Sequence, residues 1–335
     1  MNDVSHPRGV EALYWESKPG GKIRCLLCPF KCVVKEGKKG ICRVKANVGG
    51  KLFAVAYGRS ASFNFDPIEK KPLYHFFPGT SILSVGLNAC NLDCAFCQNF
   101  EVSQREAPSR YISPEELARA ANRDGCAGIA YTYTEPLMWY EYIVDSARLA
   151  KEKGLKTVLV TNGHLEPEPF DEILPLMDAL NMDLKSMDEA FYKKICKGRL
   201  SPVLRNIEAA AERSHLEVTN LVIPTLNDSD SHFERLASFL ADINPMIPLH
   251  LSGYHPAYKM NIEPTPPETL VRGAEIAKKW LKYVYIGNVY TAEWTNSYCP
   301  HCGNTLVERE GYRAVPAGVK NGVCTNCGGE VNIIN

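Results

Sequence analysis

From residue 81 onward, short apolar runs alternate with longer stretches of helical periodicity. The runs "SILSVGL" (81–87), "GIAYTY" (128–133), "KTVLVTN" (156–162), "ALNMDL" (179–184), "LEVTNLVI" (216–223), "PLHLSGY" (248–254) and "YVYIGN" (283–288) are too short for core helices and predict strands. Helical signals fill the gaps. Ser113, Pro114 and Glu116 form an N-cap, a first-turn proline and a capping-box acid, predicting a helix that stops near Gly125. "LMWYEYIVDSARLAKEKG" (137–154) places cations near its end and Gly154 as its stop. Ser201-Pro202 opens another helix, "SHFERLASFLADI" (231–243) forms one, and Thr265-Pro266 opens "PETLVRGAEIAKKWLK" (267–282). About seven strands separated by helices imply right-handed parallel crossovers, hence an α/β sheet or a full or partial (β/α) barrel. Chemistry in such folds sits on loops at the carboxyl ends of the strands.

The N-terminal quarter lacks that rhythm. "CLLCPFKCVVKEGKKGIC" (25–42) is rich in Gly and Lys, a small metal-tied knuckle ahead of the strand-like "KLFAVAYG" (51–58) and the turn-rich "NFDPIEKKPLYHFFPGTS" (64–81). Lys plus Arg and Asp plus Glu number 38 each in 335 residues, so the formal charge is zero. Non-specific nucleic-acid or membrane-surface binding then has no electrostatic basis, and neither partner is expected. No window approaches the ~18 consecutive apolar residues of a membrane span. The opening "MNDVSHPRGVEALYWESK" carries no apolar leader run, so a soluble cytoplasmic protein is expected. Thirteen cysteines in that compartment argue for metal rather than disulfides. Eleven fall into three groups: Cys25, Cys28, Cys32 and Cys42; Cys90, Cys94 and Cys97; Cys299, Cys302, Cys324 and Cys327. Cys126 and Cys196 are expected to be packing residues.

The middle group lies in "NACNLDCAFCQNFEVSQ" (88–104), directly after the first strand of the series, with the spacing Cys-x3-Cys-x2-Cys. A structural zinc site takes four closed ligands, and the nearest further candidate, His75, precedes that strand. An iron–sulfur cubane normally takes four thiolates. Three leave one iron open to a substrate or cofactor. The competing reading is three structural cysteines in a compact loop.

"CNLDCAFC", with Phe96 just before its last cysteine, resembles the signature of the radical S-adenosylmethionine (SAM) superfamily. That resemblance implies a partial (β/α)6 TIM-type barrel with small cysteine-rich, metal-binding extensions at both ends. It also implies a 4Fe-4S cluster on Cys90, Cys94 and Cys97 whose open iron chelates SAM, reductive SAM cleavage to a 5′-deoxyadenosyl radical, and hydrogen abstraction from a substrate. In "YTYTEP" (131–136), Thr132, Tyr133 and Thr134 stand where the superfamily has glycines of a motif that holds the SAM amino group, while Glu135-Pro136 is retained. The departure implies a narrower pocket. "TNGH" (161–164), with Asn162, and "MDLK" (182–185) resemble the third- and fourth-strand motifs of glycyl-radical-enzyme activating proteins. Asp183 is then expected near a cation or the ribose, and Lys185 at the SAM carboxylate. "TNLVIPTLND" (219–228) resembles the fifth-strand segment, with Asn220 expected to point inward. "HLSGYHPAY" (250–258) gathers His250, Ser252, Tyr254 and His255, and alternation sends the first three to one face. A strand histidine is more often a satisfied core residue, with lining of the pocket as the alternative. The expected pocket residues are thus Phe96, Tyr133, Thr134, Glu135, Asn162, Asp183, Lys185, Asn220 and His250.

The C-terminal "CPHCG" and "CTNCGG" carry two Cys-x2-Cys knuckles, each followed by glycine, expected to form a structural zinc ribbon with a rubredoxin-like iron as rival. The N-terminal set, Cys-x2-Cys-x3-Cys-x9-Cys, suits zinc or an auxiliary 4Fe-4S cluster, with zinc expected. The expected division is a metal-binding region at 1–75, a core barrel at 76–292 and a knuckle at 293–335. Taken along the whole chain, the "CxLCPFxCxxxxGxxGxC" opening and the strand motifs resemble the AmmeMemoRadiSam system radical SAM enzyme, close to the pyruvate formate-lyase activating branch. The resemblance implies partner proteins of that system, an electron donor such as ferredoxin or flavodoxin, and a small-molecule or protein substrate. Activation of a glycyl radical enzyme is the alternative. A zinc-ribbon scaffold or RNA-binding module is the alternative from another class.

Overall fold

In the computed structural model, which describes residues 9–289 and 293–335, the apolar runs pair in chain order. The expected boundary at 292/293 abuts residues 290–292, outside the described residues. One sheet contains β1 (Ser62–Pro67), β2 (Ser81–Gly86), β3 (Cys126–Tyr131), β4 (Lys156–Thr161), β5 (Ala179–Asp183), β6 (His215–Val222), β7 (Leu249–Gly253) and β8 (Val284–Gly287), each beside its neighbours in sequence. Strands β2 to β8 run parallel, while β1 pairs antiparallel with β2. Helices α1 (Pro114–Ala121), α2 (Tyr140–Glu152), α3 (Pro167–Ile173), α4 (Ser201–Arg213), α5 (Asp230–Ile243) and α6 (Pro267–Ala277) occupy the six crossovers between parallel strands. The middle strands are buried nearly throughout, which is why they read as continuous apolar runs.

The local signals act as expected at α1, where Ser113 caps the Glu116 amide in a full capping box. Other boundaries differ. Strand β3 begins at Cys126 and ends at Tyr131, leaving Thr132 and Tyr133 to a loop. It starts with a bulge against β2, and Gly128 is required there because a Cβ would lie 1.9 Å from the Lys156 carbonyl oxygen. Helix α6 stops at Ala277 rather than 282, with Ile276 and Ala277 of its last turn and Leu281 beyond it turned into the core. Strand β1 lies in the stretch expected to be turns. It is an edge strand with Asn64 and Phe65 exposed, so it lacks the buried alternation that marks a strand.

Before β1 the chain forms two small antiparallel sheets, and their Ile23, Val34 and Leu52 share one apolar core with Leu83, Val85 and Leu159 of the large sheet. The C-terminal segment builds a separate small core from Leu306, Val307, Val319 and Ile333. It docks at the amino ends of the strands through a buried polar network. Glu217 of β6 accepts the Tyr74 and His75 amides at 3.0 and 2.7 Å, and meets His215 at 3.0 Å and His250 at 2.6 Å. His75 in turn bridges the Asn332 carbonyl at 2.6 Å and the Tyr285 hydroxyl at 2.5 Å. Burial alone would raise the Glu217 pKa, but the two histidines hold it well below 4.5. Among the described residues, no helix is long and apolar enough to cross a membrane.

Burial lowers the His75 pKa from 6.5 to about 3. The native imidazole stays neutral over an interval in which the unfolded chain binds a proton, so acidification through that interval destabilises the fold. His75 contributes up to about 1.4 kcal/mol per pH unit to this slope. Denaturant titrations across that range should show a shallower pH slope for His75→Phe than for wild type, with about 2 kcal/mol lost at neutral pH from the orphaned partners. Parallel slopes for the two proteins would contradict the assignment.

Candidate active site

Strand β2 ends at Gly86 and the chain turns at once into the cysteine loop. Cys90, Cys94 and Cys97 border a cavity of about 510 Å³ at the carboxyl ends of the strands. The Leu92 amide donates to the Cys90 sulfur at 3.4 Å, and the Asn162 side-chain amide approaches the same sulfur at 3.8 Å. The Ser103 hydroxyl lies 3.2 Å from the Cys97 sulfur. Such donors stabilise thiolates and orient them as ligands. Among the described residues, no three of these or other His, Cys, Asp and Glu ligand atoms gather within 4.8 Å except at the C-terminal quartet. A lone zinc ion needs that compactness. A cubane binds each thiolate to a different iron, so the donor set fits an iron–sulfur cluster.

The expected pocket residues divide. Phe96, Tyr133, Thr134, Asn162, Asp183 and Lys185 line the same cavity as the cysteines. Lys185 pairs with Asp183 at 3.0 Å and sits 5.8 Å from the centre of the Phe96 ring. Burial works against its charge, yet Asp183 and the nearby thiols outweigh that and hold the pKa well above 10.5. Tyr133 adopts a φ of 71°, the left-handed conformation that glycine takes readily. The side chain is anchored by its hydroxyl on Asp66 at 2.5 Å and by the Lys71 ammonium 4.3 Å from the ring centre. The tyrosine therefore keeps a glycine-like turn while its ring fills space in the cavity.

Glu135, Asn220 and His250 do not line it. The Glu135 carboxylate is fully buried and accepts from the Leu137 amide at 3.0 Å, the Thr161 hydroxyl at 2.7 Å and the Asn162 amide at 2.8 Å. Burial pushes its pKa up to about 7 against those hydrogen bonds. It shapes the turn beneath the cavity rather than facing it. Asn220 does not point inward, because alternation along β6 gives the cavity Thr219 and Leu221 and turns Asn220 to the opposite face, where it donates to the Leu184 carbonyl at 2.6 Å. His250 lies near the start of β7 in the Glu217 network, at the wrong end of the strand, and only Ser252 of its group reaches the cavity. Tyr254 is buried against the Met260 carbonyl, and His255 meets Gln98 at the rim at 3.0 Å. Lys70, Lys71, Asn181 and Asn288 also line the cavity without having been expected. The period-two pattern of β5 signals Asn181 once Asp183 is placed. Nothing local signals the two lysines, which reach the cavity because β1 folds back on β2.

Of the terminal groups, the C-terminal one is the compact set. Cys299 and Cys327 sulfurs are 3.7 Å apart and those of Cys302 and Cys324 are 3.8 Å apart. Four thiolates at about 2.3 Å from one tetrahedral ion stand about 3.8 Å from each other. The geometry fits a single ion, zinc or iron. Cys196 is buried as expected, and its thiol hydrogen-bonds the Cys94 sulfur. Cys126 is half-buried in β3.

The model of the Radical SAM superfamily matches residues 85–240. An uncharacterized protein of Methanocaldococcus jannaschii is 42% identical over 97% of this chain and 99% of its own length. The pyruvate formate-lyase-activating enzyme of Clostridium pasteurianum is 26% identical over 60% of this chain and 88% of its own. Among solved structures, a radical SAM methyltransferase from Sphaerobacter thermophilus superposes with a TM-score of 0.51 at 16% identity, covering 63% of this chain and 67% of that one. SuiB of Streptococcus suis bound to S-adenosylmethionine gives 0.50 at 16% identity, covering 66% and 53%.

The C-terminal quartet yields its own expectation. The protein should bind one metal ion there in a tetrahedral thiolate site, and Cys324→Ala should lower the metal content by about one ion per chain. Elemental analysis and the ligand-field spectrum of a cobalt-substituted sample test this; unchanged metal content in the variant would refute it.

Proposed function

The chain belongs to the radical SAM superfamily, and we propose that the cavity at the carboxyl ends of its strands is the cofactor pocket, with a 4Fe-4S cluster on Cys90, Cys94 and Cys97 and SAM at the open iron. The observation that carries this is the convergence of three hydrogen-bond-supported thiols, a half-buried lysine and a left-handed turn on one cavity. The cluster, when bound, supplies the electron that cleaves the C–S bond of SAM. The protein's part is binding and exclusion. Lys185 would offer its positive charge to a carboxylate, and Asp183, which pairs with that ammonium in the same cavity, would serve the ribose. Thr132, Tyr133 and Thr134 would present their turn to the amino group, and Glu135, next in the chain, ties that turn to Thr161 and Asn162. The Tyr133 ring narrows the pocket and keeps water from the reacting atoms.

The six strand–helix repeats are read as the superfamily's partial barrel, flanked by metal-binding regions before β1 and from 293 onward. The expected boundary at 75 falls too late, because β1 (Ser62–Pro67) already pairs in the large sheet and Lys70 and Lys71 line its cavity. The terminal regions weigh on the finer assignment. A relative matched over 97% of this chain includes them, whereas the activating enzyme of Clostridium pasteurianum matches 60%. Together with the opening and strand motifs, we read this as an AmmeMemoRadiSam-type enzyme that abstracts hydrogen from a small-molecule or protein substrate and works with that system's partners and a ferredoxin- or flavodoxin-like donor. Activation of a glycyl radical enzyme is the second reading, favoured by the similarity to activating enzymes.

Anaerobic reconstitution with SAM and a reductant should release 5′-deoxyadenosine from wild type and none from Cys90→Ala. Equal release from the two proteins would sink the cluster assignment. Lys185→Ala should weaken SAM binding by about 2 kcal/mol, roughly 30-fold, as expected for a lost charge-assisted contact. A variant that binds SAM as tightly as wild type would remove Lys185 from the site.

A further inference from the structure

The N-terminal knuckle holds a second ordered set of thiols. Antiparallel pairing of Lys22–Cys25 with Val33–Val34 sets Cys25 opposite Cys32, whose carbonyl accepts the Cys25 amide at 2.9 Å. A turn at Gly40 returns the chain past them: a Cβ there would lie 3.7 Å from the Cys32 sulfur, and Arg43 completes the turn with a φ of 68°. The amides of Leu27, Phe30 and Val44 point at the sulfurs of Cys25, Cys28 and Cys42, each two residues back. That is how a metal-binding knuckle presents its ligands. Lys45 is 1% exposed beside Cys25 and Cys42, its ammonium paired with Glu141 of α2, and so places a buried positive charge against the thiols.

Spacing separates this set from the C-terminal one. No three of its four sulfurs lie within 4.8 Å of one another, whereas the C-terminal quartet is that compact. A single tetrahedral ion with bonds of about 2.3 Å draws its thiolates to about 3.8 Å. A cubane leaves them further apart, because each binds its own iron.

The position is also particular. Arg43, next to Cys42, donates to the Ser103 and Gln104 carbonyls, the latter at 2.7 Å, and Ser103 touches Cys97. Phe30, between Cys28 and Cys32, packs on His164 with ring centres 5.2 Å apart. The His164 carbonyl takes the Asn91 side chain at 2.8 Å, next to Cys90. Two short bridges thus run from this knuckle to the central cysteine loop.

We propose that Cys25, Cys28, Cys32 and Cys42 bind a second 4Fe-4S cluster, close enough to the central one for the two to interact magnetically. The zinc expected from the sequence is replaced by iron and sulfide.

Iron, zinc and acid-labile sulfide are counted in anaerobically reconstituted full-length protein and in the Cys90→Ala/Cys94→Ala/Cys97→Ala variant. The variant should retain roughly half the wild-type sulfide, and Cys28→Ser/Cys42→Ser in the wild-type background should lose the other half. A triple variant holding zinc without sulfide overturns the proposal. Should the triple variant fail to fold, wild type alone decides: sulfide for one cubane, or for two. Reduced wild type should show an electron paramagnetic resonance signal broadened by spin coupling, and Cys28→Ser/Cys42→Ser a simple one; identical spectra overturn the proximity. Release of 5′-deoxyadenosine by wild type reports separately on the central site, so the two readings fail independently.

Discussion

Parallel registration of β2 to β8 is the constraint from which the candidate site follows. A parallel ladder must be covered on both faces, which here leaves its middle strands buried and chemically silent along most of their length. Functional groups are left to the places where the ladder stops. Because the strands are in register, those stops fall at one edge, and loops far apart in sequence meet there. Cys90, Asn162, Lys185 and Ser252 span most of the core yet border one cavity.

The two edges of the sheet carry opposite chemistry. At the carboxyl edge, thiols and a lysine face open space, and Tyr133 holds a backbone conformation unfavourable for a side chain. Unused polar capacity of this kind marks a place built for a ligand. At the amino edge, Glu217 has its capacity filled by two amides and two histidines, and nothing is left for a ligand. The first edge is poised and the second is closed. The C-terminal knuckle docks on the closed edge through His75 and Arg309, a structural attachment. The N-terminal knuckle shares the main core and leans on the cysteine loop through Arg43.

Much of this was legible along the chain. The strand order, the helix capped by Ser113 and the loop carrying Cys90, Cys94 and Cys97 rest on patterns spanning a few residues, and such patterns survive folding because neighbours in sequence stay neighbours. Most misplacements involve direction. The sequence pattern places Asn220 and His250 on the strands they occupy, but one faces away from the cavity and the other sits at the amino end. A one-residue shift reverses the face of a strand, and height along a strand depends on the register of its neighbours. Nothing in the sequence marks Lys70 and Lys71, because their place at the cavity depends on an edge strand whose apolar pattern is weak.

Residue types and spacings therefore settle where the candidate chemistry lies along the chain: three closely spaced thiols after the first strand of the series, two Cys-x2-Cys knuckles near the C-terminus, and a run of parallel strands between them. Packing settles where each group points and how far apart the ligands stand. The thiol spacing that separates the two terminal quartets is invisible in their sequence spacing, since both use Cys-x2-Cys turns. Distances between ligands depend on how separate turns are held against each other, and only the assembled core fixes those turns in place.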